Sequence, residues 1–178
     1  MEYTLVRSAR HSLAIQIKSD GRVIVRANYR TSVKAIENFL SVKSAWIKKH
    51  LAEIAEKPVL PKFTEEEIKG FISSAKAFLP SRVAYFAGVV GVSYGKVTIH
   101  RARTLWGSCT AKGNLNFNCL LAAVPDSVAD YVIIHELCHR KQMNHSQKFW
   151  AIVSQYCPEY KTRRKWLKTF GTEYLGRL

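Results

Sequence analysis

The sequence has 178 residues, 47% of them hydrophobic, which is enough for one globular domain with a buried core. Lys and Arg number 28 against 13 Asp and Glu, and the resulting formal net charge of +15 favours polyanionic partners. No apolar run is long enough to cross a membrane, and the four cysteines contain no Cys-x-x-Cys pair, which argues against a zinc finger.

The first part of the chain predicts a β-hairpin followed by helices. Apolar residues alternate over 13–17 and 23–27, and the Asp20-Gly21 pair between them is typical of a hairpin turn. Two stretches of apolar residues at helical spacing then fall within 33–54. These elements could form an N-terminal lobe over 1–57.

The middle of the chain predicts a long helix and then several strands. Thr64 and Glu67 have the spacing of a capping box, and Pro80 should kink or divide the helix that follows them. Strand patterns lie between residues 92 and 118, and polar and apolar residues alternate over 114–118. This last strand is either an open edge where an extended peptide could pair, or an internal strand whose asparagines face solvent. Strands and helices that are segregated along the chain predict an α+β fold.

The next helix carries a His-Glu-x-x-His motif, His135-Glu136-Leu137-Cys138-His139. Pro125 precedes the expected start, and Ser127 and Asp130 have the spacing of a capping box. Two imidazoles four residues apart leave the same face of a helix, so one metal ion can contact both. Burying two histidines and an acid without partners would be unfavourable, which favours a metal site over an ordinary core.

A third ligand is expected because catalytic zinc usually has three protein ligands and one open position. His145 lies six residues beyond His139, which is the metzincin spacing, although Gln142 stands where that pattern has glycine. We expect Asn144 to reverse the chain in a left-handed conformation and to begin a helix whose first turn holds His145. The sequence therefore predicts that one Zn²⁺ is bound by His135, His139 and His145.

Glu136 is the expected general acid and base. Because Glu136 directly follows His135 on the helix, its carboxylate cannot easily bind the same ion. It is better placed to accept a proton from a zinc-bound water and to donate it to the leaving group. The oxyanion formed from the scissile carbonyl needs a hydrogen-bond donor. Tyr131 and Arg103 are candidates, although packing for Tyr131 and surface charge for Arg103 are the simpler interpretations.

The sequence resembles the YgjP-like metallopeptidases, which are similar to the SprT-like and WLM zinc protease domains. The segments that carry the resemblance are Arg103-Thr104-Leu105-Trp106-Gly107-Ser108-Cys109, Gly113-Asn114-Leu115-Asn116-Phe117-Asn118, the helix of Tyr131 to His139, Met143-Asn144-His145-Ser146, and Cys157-Pro158-Glu159-Tyr160. The resemblance implies a zincin-like fold, three histidine ligands and a glutamate base, which correspond here to His135, His139, His145 and Glu136.

These observations predict a single zincin-like α+β domain over 1–178, with a metal-binding core over 92–170. The expected function is that of a zinc-dependent hydrolase, a metallopeptidase acting on a peptide or protein. Two alternatives stay open. A zinc hydrolase of nucleotide phosphoanhydrides would use the positive charge to neutralise its substrate, and a basic nucleic-acid-associated module would use zinc only as a structural ion.

The basic charge is concentrated near the C-terminus. Residues 140–178 hold nine Lys or Arg against two Glu, so nucleic acid is a possible partner. The N-terminus lacks the basic and then apolar segments of a signal peptide, and no membrane partner is expected. We therefore expect the protein in the cytoplasm, where its four cysteines would stay reduced.

Overall fold

The structure, a computed structural model, describes residues 2–18, 20–56 and 60–178. The chain divides into two compact units, Met1–Val59 and Leu60–Leu178. Each unit has a buried hydrophobic core of its own.

The first unit combines a three-stranded sheet with two helices. Its elements are β1 (Thr4–Ser8), β2 (Ala14–Ile17), β3 (Val23–Asn28), α1 (Val33–Val42) and α2 (Ser44–Ala55). The predicted hairpin is confirmed, since β2 and β3 pair antiparallel, and both predicted helices are present. The sequence analysis missed β1, which pairs parallel with β3 and makes β3 the central strand.

The second unit places one long helix before a small sheet and four helices after it. Its elements are α3 (Glu65–Val90), β4 (Val97–His100), β5 (Gly107–Cys109), β6 (Leu115–Asn118), α4 (Asp126–Cys138), α5 (Gln147–Tyr156), α6 (Tyr160–Trp166) and α7 (Thr172–Gly176). A 3-10 turn joins β6 to α4, and a π-helical turn joins α6 to α7. The α+β class is confirmed.

The start of α3 is the predicted capping box. The Thr64 hydroxyl accepts a hydrogen bond from the Glu67 backbone at 3.1 Å, and the Thr64 backbone donates to the Glu67 carboxylate at 2.7 Å. Of the two effects predicted for Pro80, a kink or a break in the helix, the break does not occur, because α3 runs unbroken to Val90. Pro80 and Lys76 are both exposed, so water can bond the Lys76 carbonyl that has lost its helical donor.

The strand β6 is internal and not an open edge. It pairs parallel with β4 on one side and antiparallel with β5 on the other, which leaves β4 and β5 as the edge strands. Its asparagines do not simply face solvent either. Asn118 is buried, and its amide donates to the carbonyl oxygens of Ala102 and Leu105 at 2.6 and 2.8 Å.

The helix α4 lies at the centre of this unit, where it packs against α3, α5, α6 and β5. It begins at Asp126, and its N-cap residue Pro125 makes no side-chain capping bond. The predicted capping box of Ser127 and Asp130 is therefore wrong. Asp130 instead accepts two hydrogen bonds from the Arg82 guanidinium of α3, the one from Nε at 2.7 Å.

All four cysteines are unpaired, and Cys138 is fully buried in α4, as expected of a small apolar packing residue. Within the part of the chain that the structure describes, no helix combines the length and apolarity needed to cross a membrane.

The cap of α3 gives a prediction about stability. Thr64→Ala should lower the free energy of unfolding by about 1 kcal/mol, because it removes the oxygen that bonds the first turn. Ser146→Ala is the matched control, since Ser146 occupies the N-cap of α5 but makes no side-chain capping bond. Urea denaturation followed by tryptophan fluorescence measures both variants. Equal losses of stability would contradict the assignment of the cap.

Candidate metal centre

Three histidines of the second unit converge on one point. The ligand atoms of His135, His139 and His145 all lie within 4.8 Å of one another, and the Nε2 atoms of His135 and His145 are 2.9 Å apart. Nitrogens that bind one zinc ion at about 2.0–2.1 Å lie within about 4 Å of each other, so small shifts of these side chains would suffice to bind one. Across residues 2–18, 20–56 and 60–178, no fourth His, Cys, Asp or Glu joins the group.

A short turn after α4 brings the third imidazole back to the helix. His139 Nδ1 lies 3.1 Å from the Gln142 carbonyl oxygen, to which it can donate, and this leaves the lone pair of Nε2 free for a metal. The Asn144 side-chain oxygen accepts from the Gln142 amide at 2.8 Å and from the Ser146 backbone at 3.3 Å. These bonds hold the turn that carries His145.

Two details of the predicted turn are wrong. None of the described non-glycine residues has a positive φ, so Asn144 is not left-handed. The helix α5 begins at Gln147, which places His145 just before the helix and outside its first turn. The side-chain bonds of Asn144 reverse the chain without the left-handed conformation.

Aromatic rings fix the orientation of the imidazoles. The buried Phe149 ring is stacked on His139 with centroids 4.5 Å apart and meets His135 edge-on at 4.9 Å. The Nδ1 atom of His135 is buried without a hydrogen-bond partner among the described residues. This ring is therefore oriented by its packing against neighbouring rings and not by a hydrogen bond at Nδ1. The sequence alone gave no sign that Phe149 contacts the ligands.

Burial favours the neutral form of two of the imidazoles, those of His135 and His139. It lowers the pKa of His135 to about 3, with smaller contributions from the neighbouring histidines, and it also lowers the pKa of His139. A neutral imidazole has the free lone pair that a metal ligand needs. The donor set therefore fits a zinc ion, which is commonly bound by neutral histidine nitrogens.

Glu136 lies beside the histidines, on the side of the edge strand β5. Its side chain is only 5% exposed, and this burial raises the pKa of its carboxyl group to about 8. Gly107 of β5 makes room for it, because a Cβ atom at this position would lie 2.9 Å from the Cγ and Oε1 atoms of Glu136. In the sequence, Gly107 stood out only as part of the family resemblance.

A cavity of about 200 Å³ opens next to Glu136. The residues that line it are Thr104, Leu105, Trp106, Gly107, Tyr131, Val132, His135, Glu136 and Leu167. Of the two candidate oxyanion donors, Tyr131 lines this cavity, whereas Arg103 is exposed and does not. Burial raises the pKa of Tyr131 to about 12, so its hydroxyl keeps its proton at neutral pH.

An aromatic pair extends the site towards α6. The Trp150 ring is stacked on His145 with centroids 5.6 Å apart, and the Arg164 guanidinium lies 4.5 Å from the centre of the same Trp150 ring. A guanidinium over an indole face is attracted by the quadrupole of the ring. This contact places one of the C-terminal basic residues close to the histidines.

Comparison with known proteins identifies the family. A family model described as YgjP-like, metallopeptidase domain, matches residues 11–71 and 60–170. The chain belongs to the YgjP-like family. No curated protein matched it. Among solved structures, it is similar to the metallopeptidase zymogen of Pyrococcus abyssi abylysin, with 21% identity, coverage of 52% of this chain and 95% of that chain, and a TM-score of 0.44.

Membership of the YgjP-like family confirms the resemblance inferred from the sequence. It shows that the chain carries a metallopeptidase domain, and it thereby implies a metal ion. In this chain, the helix with the motif packs beside β5 of the small sheet, and the third histidine follows that helix.

The close approach of Gly107 to Glu136 gives a second prediction. Gly107→Ala should lower the free energy of unfolding by about 1–3 kcal/mol, because the added methyl group overpacks the site. The loss should shrink when Glu136 is also replaced by alanine, and a double-mutant cycle in urea measures this coupling. Gly88→Ala is the control, since a Cβ atom there would meet nothing within 4 Å. If the losses in free energy of unfolding are additive, residues 107 and 136 are not in unfavourably close contact in the Gly107→Ala variant.

Proposed function

We propose that this protein is a zinc-dependent metallopeptidase in which His135, His139 and His145 bind the ion and Glu136 is the general base. The observation that carries the proposal is the convergence of three imidazoles, without a fourth protein ligand among the described residues, beside a buried carboxyl group. Structural zinc sites are normally closed by four protein ligands, whereas catalytic sites keep one position open.

The zinc ion, when bound, would supply Lewis acidity towards a water molecule and a substrate carbonyl oxygen. The protein contributes the orientation of the ligands. His139 is fixed by its contact with the Gln142 carbonyl, and Phe149 packs against the His135 and His139 rings. Such support from outside the ligand shell determines which ring nitrogen is free to bind.

Glu136 would accept a proton from the attacking water and deliver it to the leaving amine. Burial alone raises the pKa of Glu136 to about 8, which favours the protonated form at neutral pH. A cation held by the adjacent imidazoles would favour the carboxylate, because opposite charge lowers the pKa of a carboxyl group. The two effects oppose each other, and a general base works best when its pKa lies near the working pH.

Tyr131 is the donor that we assign to the oxyanion of the tetrahedral intermediate. It lies one turn before His135 on α4, and its ring centroid is 5.8 Å from that imidazole. Because its pKa is raised to about 12, it would carry an O–H group throughout the neutral range. A preorganised hydrogen-bond donor in a site that excludes water stabilises the developing negative charge more than water does.

The edge strand β5 favours an extended peptide as the substrate. One side of β5 pairs with β6, and the other side is the edge of the sheet. This strand includes Gly107, which approaches Glu136. An extended peptide that added to this edge by backbone hydrogen bonds would lie alongside the general base. The role that the sequence suggested for residues 114–118 therefore suits β5 better.

The basic segment near the C-terminus supports a second proposal. Exposed Lys161, Arg164 and Lys165 lie on α6, and they could contact a polyanion such as nucleic acid by a salt-dependent attraction. The contact of Arg164 with Trp150 would place such a partner near the histidines. Nucleic acid would then bring protein substrates to the enzyme without itself being cleaved.

Replacement of Glu136 tests the proposed chemistry. Glu136→Gln should lower the hydrolysis of an unfolded polypeptide by roughly 10²–10⁴-fold, because it removes the proton acceptor, while the bound zinc is retained. Glu66→Gln makes the same chemical change on an exposed position of α3 and should have no effect. Metal content and peptide products are measured in parallel.

The same assay separates the two hydrolase hypotheses. Nucleoside triphosphates are offered beside the polypeptide, and we expect zinc-dependent peptide cleavage without release of phosphate. Release of phosphate without peptide cleavage would favour the phosphoanhydride hydrolase. Undiminished peptide cleavage by Glu136→Gln would remove this residue from its role.

A further inference from the structure

The cavity beside Glu136 has an apolar wall that the proposed chemistry does not use. This wall consists of Leu105, Trp106, Val132 and Leu167. Among the residues that line the cavity, His135 and Glu136 are the two with acidic or basic side chains. We propose that the cavity binds one large apolar side chain of the substrate, on a residue next to the scissile bond. This inference rests on the proposed peptidase function and adds a substrate preference to it.

The size of the cavity suits a single side chain. Sites for drug-sized ligands usually measure about 300–1,000 Å³. The volume of about 200 Å³ found here is smaller and accommodates a leucine, methionine or phenylalanine side chain. A charged side chain would lose its hydration against Trp106 and Leu167 without a counter-charge other than the base itself, so this wall disfavours acidic residues most strongly.

Hydrogen bonds from the buried Asn118 hold the backbone of the cavity wall in place before a substrate binds. The Asn118 amide bonds the Leu105 carbonyl at 2.8 Å, and the Asn118 backbone donates to the Trp106 carbonyl at 2.9 Å. A Cβ atom at Gly171 would lie 3.1 Å from the Trp106 indole ring, so the ring packs closely against that backbone. A wall fixed by buried contacts can discriminate between side chains, because it does not have to be ordered when the substrate binds.

The exposure of Leu105 points to an absent partner. Its side chain is 56% exposed although it lies at a cavity next to the histidines. Single exposed apolar residues are common on proteins, but here the exposed residue adjoins three further apolar side chains and the general base. A substrate side chain in the cavity would cover Leu105 and remove both apolar surfaces from water.

The size of the preference follows from the area buried. Each methylene group removed from water favours binding by about fourfold. A leucine has three more carbon atoms than an alanine, and partial burial of these atoms should give a preference of about tenfold or more for leucine. We therefore expect large apolar residues to dominate one position beside the cleaved bond.

Cleavage-site profiling tests the inference on the whole protein. A mixture of unfolded polypeptides is digested with the zinc-loaded enzyme, and the cleaved bonds are identified by mass spectrometry. We expect Leu, Met or Phe at one position that flanks the bond. Two peptides that differ only in Leu or Ala at that position then give the ratio of their kcat/KM values.

Replacement of Leu105 connects the preference to the cavity. Leu105→Asn should lower the Leu-to-Ala ratio of kcat/KM by about tenfold, because it places an amide against the bound side chain. Val89→Asn is the matched control, since Val89 is 47% exposed on α3 and lies outside the cavity. It should leave the ratio unchanged.

A binding measurement removes the dependence on turnover. The Glu136→Gln variant is titrated with the Leu and Ala peptides by calorimetry, and the Leu peptide should bind about tenfold more tightly. Equal affinities, or cleavage without an apolar preference, would overturn the subsite and leave the peptidase proposal intact. Zinc-dependent release of phosphate without any peptide cleavage would instead overturn the proposed function.

Discussion

The site depends on the short turn that returns His145 to the helix α4. The helix alone places His135 and His139 one above the other, and two ligands bind zinc less firmly than three. The bonds of Gln142 and Asn144 close the turn, and the Phe149 ring packs against the imidazoles of the helix. All of these contacts join residues that are close in the sequence. The third ligand is therefore positioned by the short turn after α4 and by Phe149.

Burial then determines the chemistry of the groups that the turn brings together. The same low-dielectric surroundings keep His135 neutral, hold the Tyr131 hydroxyl protonated and raise the pKa of Glu136. A neutral His135 can bind a metal ion, and a protonated Tyr131 can donate a hydrogen bond, so both effects suit the proposed mechanism. The third would be offset by a bound cation, so the charge state of Glu136 would depend on the metal. The edge strand β5 completes this environment, because Gly107 lets the backbone approach the carboxyl group.

The parts of this site that depend on nearby residues could be predicted from the sequence. The motif helix, His145 as a neighbouring histidine and the Thr64 cap all involve separations of ten residues or fewer. Some failures are local, such as the conformation of Asn144 and the effect of Pro80 on α3, but three others involve distant partners. Arg82 lies 48 residues from Asp130 and takes the carboxylate that was expected to cap α4. The central position of β6 depends on pairing with β4, and the space at Gly107 is filled by Glu136, which follows it by almost thirty residues.

The most direct test is X-ray absorption spectroscopy at the zinc edge of the purified protein. We expect one zinc ion with three imidazole nitrogens at about 2.0–2.1 Å and one further oxygen ligand. His145→Ala should reduce the imidazole count to two, whereas His50→Ala, which removes a histidine of α2, should leave it at three. A site with a fourth protein ligand, or three imidazoles retained in His145→Ala, would contradict the account.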